Sequence, residues 1–339
     1  MAYYNDTLLL DTLGYLADTA NKDLRLPQYG ATRAFNDKKR NVILNYEDFG
    51  KQEAEVDLRS TRIDYLRRSS ETVNSARASD LTGAYGSSTS DTLTFVNYSR
   101  EFTISDDVSR NNTLGRIKQM AGQITNTRMD IGADIETAAV AKLGTFLNTT
   151  DVSSPLSTWS SDNNWNLIAN EDQDRYFNIM QTEMSMRDYN GGLQIINYPT
   201  MNEMIAWQAN QGTANSNNLT FQYGNKSFYT TNTISNSSDH VGTSYVCEDN
   251  SLALVDWIPA KNREGLIGHA EWDFTSFPDP FGIFDTMALA VQKKVQNTST
   301  YGGNSQDAVT LYEMSVDVAF YIPTITTQYL VNKYVYSKT

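Results

Sequence analysis

One stretch of the chain keeps helical time. From Asp106 to Leu147 the apolar residues Leu114, Ile117, Ala121, Ile124, Ile131, Ile135 and Ala138 recur at alternating spacings of three and four, with one beat missed at Arg128. That pattern predicts a single long amphipathic helix with one apolar stripe. As one helix, 106 to 147 would reach roughly 60 Å, more than an ordinary domain is wide, so it either kinks or spans something large. Gly115, Gly122 and Gly132 interrupt it. Each weakens a helix by about 1 kcal/mol relative to alanine, so bends are expected there.

Upstream the pattern changes. Leu8, Leu9, Leu10, Leu13 and Leu16 give a short amphipathic beginning, followed by a polar stretch broken at Pro27 and Gly30. A segment of this kind rarely builds a core of its own, and a neighbouring subunit is its expected tie. Two strand-like runs come next, Asn41 to Tyr46 and Leu93 to Ile104, the second rich in β-branched and aromatic residues. Between them lies a polar centre with a glycine- and serine-rich turn from Thr82 to Ser88. The prediction is a long two-stranded arm, too polar to form a core and marginal in water unless it lies against something.

Downstream, residues 148 to 166 are loop-like, and Glu171 to Arg187 is a second amphipathic helix whose Met180, Met184 and Met186 fill core space. Gly191-Gly192 stops it. Leu193 to Tyr198 is a short buried strand ending at Pro199, and Thr200 to Gln208 a third helix. Strands are expected at Thr220 to Tyr223, Ser227 to Thr231, Thr243 to Cys247, Ser251 to Ile258, Leu289 to Val295 and Tyr312 to Ile322. Residues 259 to 285 look irregular and aromatic. Helices and strands mix without regular β-α alternation, which predicts an α+β fold.

Composition narrows the function. The chain has 339 residues and 40% hydrophobic residues, enough for a buried core, and it is not a disordered protein. Its net charge of -13 opposes binding to nucleic acid or anionic lipid by attraction. Residues 22 to 77 carry 12 Lys or Arg against 9 Asp or Glu, whereas residues 151 to 339 carry 9 against 20. A mildly basic arm on an acidic body is complementary to another copy of itself. Cys247 is the only cysteine, so no intrachain disulfide can form. The start lacks the charge and apolar core of a signal peptide, and no run of about 18 apolar residues suggests a membrane span. The expected product is cytoplasmic.

Candidate chemistry fails position by position. With only His240, His269 and Cys247, a nucleophile–histidine pair or a zinc site has few possible members. Gly224-Asn225-Lys226-Ser227 carries the lysine and serine of a phosphate loop, but Leu219 stands where its first glycine belongs. A calcium loop starting at Asp162 has Leu167 for its glycine and Gln173 for its glutamate. The acidic run Glu171 to Asp174 opens a helix, where the dipole favours carboxylates. No catalytic, cofactor or metal residue is assigned.

The order of parts resembles the major capsid proteins of tailed double-stranded-DNA phages, a fold shared with encapsulins. Tyr98-Ser99-Arg100-Glu101-Phe102-Thr103-Ile104 looks like the end of an extended loop entering a spine helix. The resemblance continues through the Arg-x-Asp spot at Arg128-Met129-Asp130-Ile131 to Leu147. Asn190-Gly191-Gly192, with the strand ending Asn197-Tyr198-Pro199 and a helix, is similar to the strand-helix step of that family's axial domain. The resemblance implies an N-terminal arm over 1–40, an extended β-hairpin loop over 41–104 and a peripheral domain with spine helix over 105–190. It further implies an axial domain over 191–285 and return strands over 286–339.

The function implied by this resemblance is a self-assembling icosahedral shell of hexamers and pentamers around double-stranded DNA, held without sequence-specific binding. Scaffolding, portal or decoration proteins are the further partners it implies, no membrane is involved, and the location is the virion, assembled in the host cytoplasm. Lys51, Arg59, Arg62, Arg67 and Arg68, in the extended loop, are the expected inter-subunit contacts. Met1 leads almost directly into the arm, which implies a separate scaffold or none. Lys51 is the only lysine of the loop and has no identifiable cross-linking partner. Two other classes stay open: a tail or head-tail adaptor subunit of the same polar, cysteine-poor composition, and a hydrolase using paired carboxylates.

Overall fold

A computed structural model of the chain describes residues 10–16, 29–37, 39–43, 60–66, 88–105, 113–149, 157–160, 162–168, 176–185, 192–210, 227–235, 240–257, 272–279, 282–284, 287–297, 306–323 and 330–337. Its first helical segments are α1 (residues 10–16), α2 (Gly30–Asp37) and α3 (Lys39–Val42). A ribbon of β1 (Ser60–Leu66) and β2 (Ser88–Thr94) precedes β3 (Val96–Ser105), which leads towards α4 (Thr113–Thr145). After α4 come β4 (Thr158–Ser160), β5 (Asn164–Ile168), α5 (Tyr176–Ser185), β6 (Leu193–Asn197) and α6 (Tyr198–Asn210). The remaining strands are β7 (Ser227–Thr231), β8 (His240–Cys247), β9 (Ala253–Trp257), β10 (Trp272–Phe277), β11 (Met287–Asn297), β12 (Gln306–Tyr321) and β13 (Val331–Ser337). The α+β expectation holds.

The helical stripe becomes α4, 33 residues and about 50 Å long, unbroken through Gly115, Gly122 and Gly132 and through a fourth glycine, Gly144. Ala121, Ile124, Ile131 and Ile135 are buried along one face as the spacing requires. The missed beat does not leave that face: Arg128 is fully buried in line with its apolar neighbours. Towards the C-terminal end the buried positions are Ala139 and Leu143, and Ala138 is only half-buried.

Besides the ribbon the strands form two sheets, the first of which packs on this helix through β3 and β12. In the first, β10, β11, β12 and β3 lie side by side, all antiparallel. The long β12 pairs with β11 up to Ser315 and with β9 from Asp317 on, while β3 lines its other edge. The second sheet runs β4-β5-β13-β8-β6-β7 and is mixed, with β13 parallel to β5 and β6 parallel to β7. A bridge between Leu147 and Val331 ties the end of α4 to β13.

Several local expectations change. Asn41 and Val42 belong to α3 and not to a strand, because Val42 and Ile43 turn into a small core with Leu93, Phe95, Val255 and Tyr321. The first strand of the ribbon is therefore Ser60–Leu66, in register with Ser88–Thr94. Residues 148–166 hold β4 and part of β5, stabilised where Trp165 packs edge-on to Trp159 and flat on Tyr334. Burying an aromatic of this size contributes roughly 2–3 kcal/mol. Within 259–285, Trp272–Phe277 is a regular strand. The strand expected at Thr220 to Tyr223 lies outside the described residues.

The N-terminal region also departs from expectation. Tyr29, Ala31, Ala34, Phe35 and Leu16 are buried in the main core of their own subunit, so the described part of the arm is tied in cis. Residues 44–59 lie outside the described residues.

Candidate functional site

Among the described residues a dense polar arrangement is built on α4. Two of its residues, Arg128 and Glu136, stand two turns apart on the buried face, and each holds a different distant segment. Arg128 Nε donates to Asp279 Oδ1 at 2.8 Å and a terminal guanidinium nitrogen to Oδ2 at 2.9 Å. The same Oδ2 accepts from the backbone N–H groups of Ile283 and Phe284, both at 3.0 Å. Asp279 thus orders the turn after β10, where Gly282 takes a left-handed φ of 66° that suits glycine.

Glu136 faces the opposite segment. Its Oε1 accepts from Ala31 N–H at 2.9 Å, and its Oε2 from Thr32 N–H at 2.8 Å and from the Thr32 hydroxyl at 2.7 Å. The carboxylate therefore caps the first turn of α2, where unpaired amides and the helix dipole favour an anion. Tyr29 completes the assembly: its hydroxyl donates to Met129 O at 2.9 Å, and its ring sits 5.8 Å from the Arg128 guanidinium carbon. Phe284 covers that guanidinium at 4.8 Å. Burial pushes the Tyr29 hydroxyl above its usual range; Arg128 opposes the shift, and Glu136 and Asp279 add to it.

Gly132 lies within this assembly. A Cβ there would meet Tyr29 Cζ at 2.5 Å, so glycine is the residue that lets the ring lie on the helix. The Arg-x-Asp spot also resolves into two unlike halves. Arg128 is buried with Asp279, whereas Asp130 is half-exposed and paired with Arg100 of β3.

Of the expected contact residues, Arg62 alone falls among the described residues. Arg62 lies on β1 opposite Thr92. Lys51, Arg59, Arg67 and Arg68 lie outside the described residues, as do His269 and the acidic run Glu171 to Asp174. His240 opens β8, opposite Ser337. Cys247 closes the same strand and is buried, which pushes its thiol well above the ordinary range. Asp162 and Asn163 form the tight turn between β4 and β5, with Asn163 at a φ of 56°. Among the described residues no group of three or more His, Cys, Asp or Glu is placed to hold a metal, and no helix is long and apolar enough to cross a membrane.

No family model matches the chain, and no curated protein matches it. Solved structures do. A chain of the cyanophage A-1(L) capsid asymmetric unit superposes with a TM-score of 0.50 at 9% identity, over 88% of this chain and 94% of that one. The fold is that of a phage capsid chain. Structures from mycobacterium phage Adephagia (TM-score 0.48, 9% identity, 94% and 92% covered) and mycobacterium phage Cain (0.46, 10%, 98% and 94%) also match.

Within this capsid fold, the Arg128 and Glu136 arrangement fastens residues 29–37, together with Asp279, Ile283 and Phe284, to the long helix. By spacing alone Arg128 reads as a gap in the stripe, and Tyr29, Glu136 and Asp279 carry no role. One signal exists, since a charged residue, Arg128, falls on the face that the apolar spacing marks as buried; Glu136 lies beside that stripe and carries no such signal.

Proposed function

We propose that the chain is a structural subunit that assembles with copies of itself into an icosahedral shell around double-stranded DNA. The observation that carries this reading is the fold it shares, over most of both chains, with the cyanophage capsid chain. The ribbon supports it. Among the described residues, β1 and β2 pair only with each other, while the base of β2 is anchored by buried Leu93 and by the Tyr321 hydroxyl, which donates to Asp91 at 2.9 Å. A two-stranded ribbon is marginal alone and gains stability by lying on a neighbour. Closure of a symmetric shell then multiplies many weak contacts.

On this reading Lys51, Arg59, Arg62, Arg67 and Arg68 contact the acidic surface of a neighbouring copy, and the chain keeps its five divisions at 1–40, 41–104, 105–190, 191–285 and 286–339. The role is structural rather than enzymatic. The net charge of -13 suits DNA that is enclosed and not gripped. Portal, scaffolding or decoration proteins are the remaining partners, and assembly takes place in the host cytoplasm before the subunit resides in the virion.

Sedimentation and negative-stain microscopy of the purified full chain test the proposal. Closed megadalton particles are expected, and a strictly monomeric species with scaffold supplied overturns it. Rings or tubes would instead favour a tail or adaptor subunit. Removing residues 47 to 90 is expected to leave a folded body that builds no stable shell, and normal particles from that variant would refute the role given to the ribbon.

A further inference from the structure

We infer that the described residues 29–37 and 39–43 form a detachable strap, latched by Glu136, that sets how the two sheets sit against each other. The inference holds whatever the subunit builds, because it concerns contacts within one chain. The strap touches the long helix and both larger sheets: α2 packs on α4, on β6 and β7 of the six-stranded sheet, and on β9 of the five-stranded sheet. At its start, a Cβ on Gly30 would overlap the Thr230 carbonyl of β7, so the strap is seated directly on that strand's backbone. Further along, Tyr229 of β7 donates its hydroxyl to Asp37 at 2.6 Å. On the other sheet, Phe35 meets Phe320 of β12 edge-on with centroids 5.0 Å apart, and Lys39 donates to Asp256 of β9 at 3.4 Å.

Two features make the strap a unit that docks or leaves as a whole. With 8 residues, α2 is too short to be helical by itself, so its folding and its docking are one event. Its latch is a buried carboxylate accepting three hydrogen bonds, all from Ala31 and Thr32. Bonds of this charge-assisted kind are strong when complete, and a buried carboxylate stripped of them is heavily disfavoured. The strap is accordingly all-or-none: latched with its three bonds complete, or opened as a unit with Glu136 exposed to water.

Glu136→Gln tests this, because an amide turns a donor towards backbone N–H groups that need acceptors. Hydrogen exchange by mass spectrometry on the full chain reads the result. Exchange in peptides covering 29–43 is expected to quicken by at least about tenfold, with β12 and β13 unchanged, since losing charged hydrogen bonds shifts a local opening by that order. Spin labels at T103C on β3 and N202C on α6, both exposed, report the sheets, and buried Cys247 stays unlabelled. Their distance distribution is expected to broaden in the Gln variant. If Glu136→Gln fails to fold, Thr32→Val, which removes one bond and keeps the carboxylate, is expected to give the same local rise in exchange. Unchanged exchange in 29–43, an equal rise throughout both sheets, or a freed strap with an unaltered label distance would each overturn the inference.

Discussion

Arg128 and Asp279, 151 positions apart in sequence, meet as a two-pronged ion pair whose side chains have no exposed surface. Removing one partner strands the other charge in the core, a loss of about 3–5 kcal/mol. Arg128→Met is therefore expected to lower unfolding free energy by that order in urea titrations. Adding Asp279→Asn should recover part of the loss. The amide oxygen still accepts from Ile283 and Phe284, while the unpaired charge is gone.

Two residues along, the same motif predicts almost nothing. Arg100 and Asp130 pair with side chains 50% and 53% exposed, where water and salt screen the attraction. Arg100→Ala or Asp130→Ala is expected to change stability by less than about 1 kcal/mol, and less still at high salt. Equal losses at Asp130 and Asp279 would show that burial does not separate the two halves.

The glycines of α4 divide in the same way. Nothing lies within 4 Å of a Cβ on exposed Gly122, so Gly122→Ala is expected to raise stability by up to about 1 kcal/mol through helix propensity alone. At Gly132 the new methyl meets the Tyr29 ring, and overpacking of this kind costs about 1–3 kcal/mol. Thermal unfolding of the two variants should move in opposite directions.

How much of this was legible depends on where the information sits. The stripe of α4, the strand Ser227–Thr231 and the step from β6 to α6 are local patterns, and each is where the spacing put it. Asn197 shows why the last was clear. Its side chain caps α6 by accepting from Thr200 N–H at 3.2 Å, a signal carried by neighbouring residues. In β13 the same reasoning has nothing to hold. It lies inside its sheet with Val331, Asn332, Tyr334, Val335 and Tyr336 all buried, so no alternation marks it, and Asn332 and Lys333 break the apolar run. Residues 164–166 look like the end of a loop because of their asparagines, and belong to the strand Asn164–Ile168, where Trp165 stacks on Tyr334. The Arg128–Asp279 and Glu136–Thr32 contacts are long-range pairings of single charges, which no local period records.

Alkaline pH gives the last test. Cys247 is buried and its thiol is pushed far above its ordinary 9.0 by burial; burial likewise raises Tyr29, Tyr98, Tyr229 and Tyr245 above their ordinary 10.0. Each of these groups is neutral when protonated, and the folded chain holds its proton longer than the unfolded chain does. Above the unfolded values the unfolded state binds fewer protons, so stability falls as pH rises. The contribution is present in full below pH 9.0 and declines above it, first through Cys247 and then through the tyrosines. Urea midpoints measured from neutral to strongly alkaline pH should trace this decline. Cys247→Ala is expected to remove the part that begins near 9.0 and to leave the part that begins near 10.0. The same burial predicts that a maleimide reacts with Cys247 only once the chain unfolds. Rapid labelling of the native protein would place the thiol at the surface and remove the cause assigned to the first part of the slope.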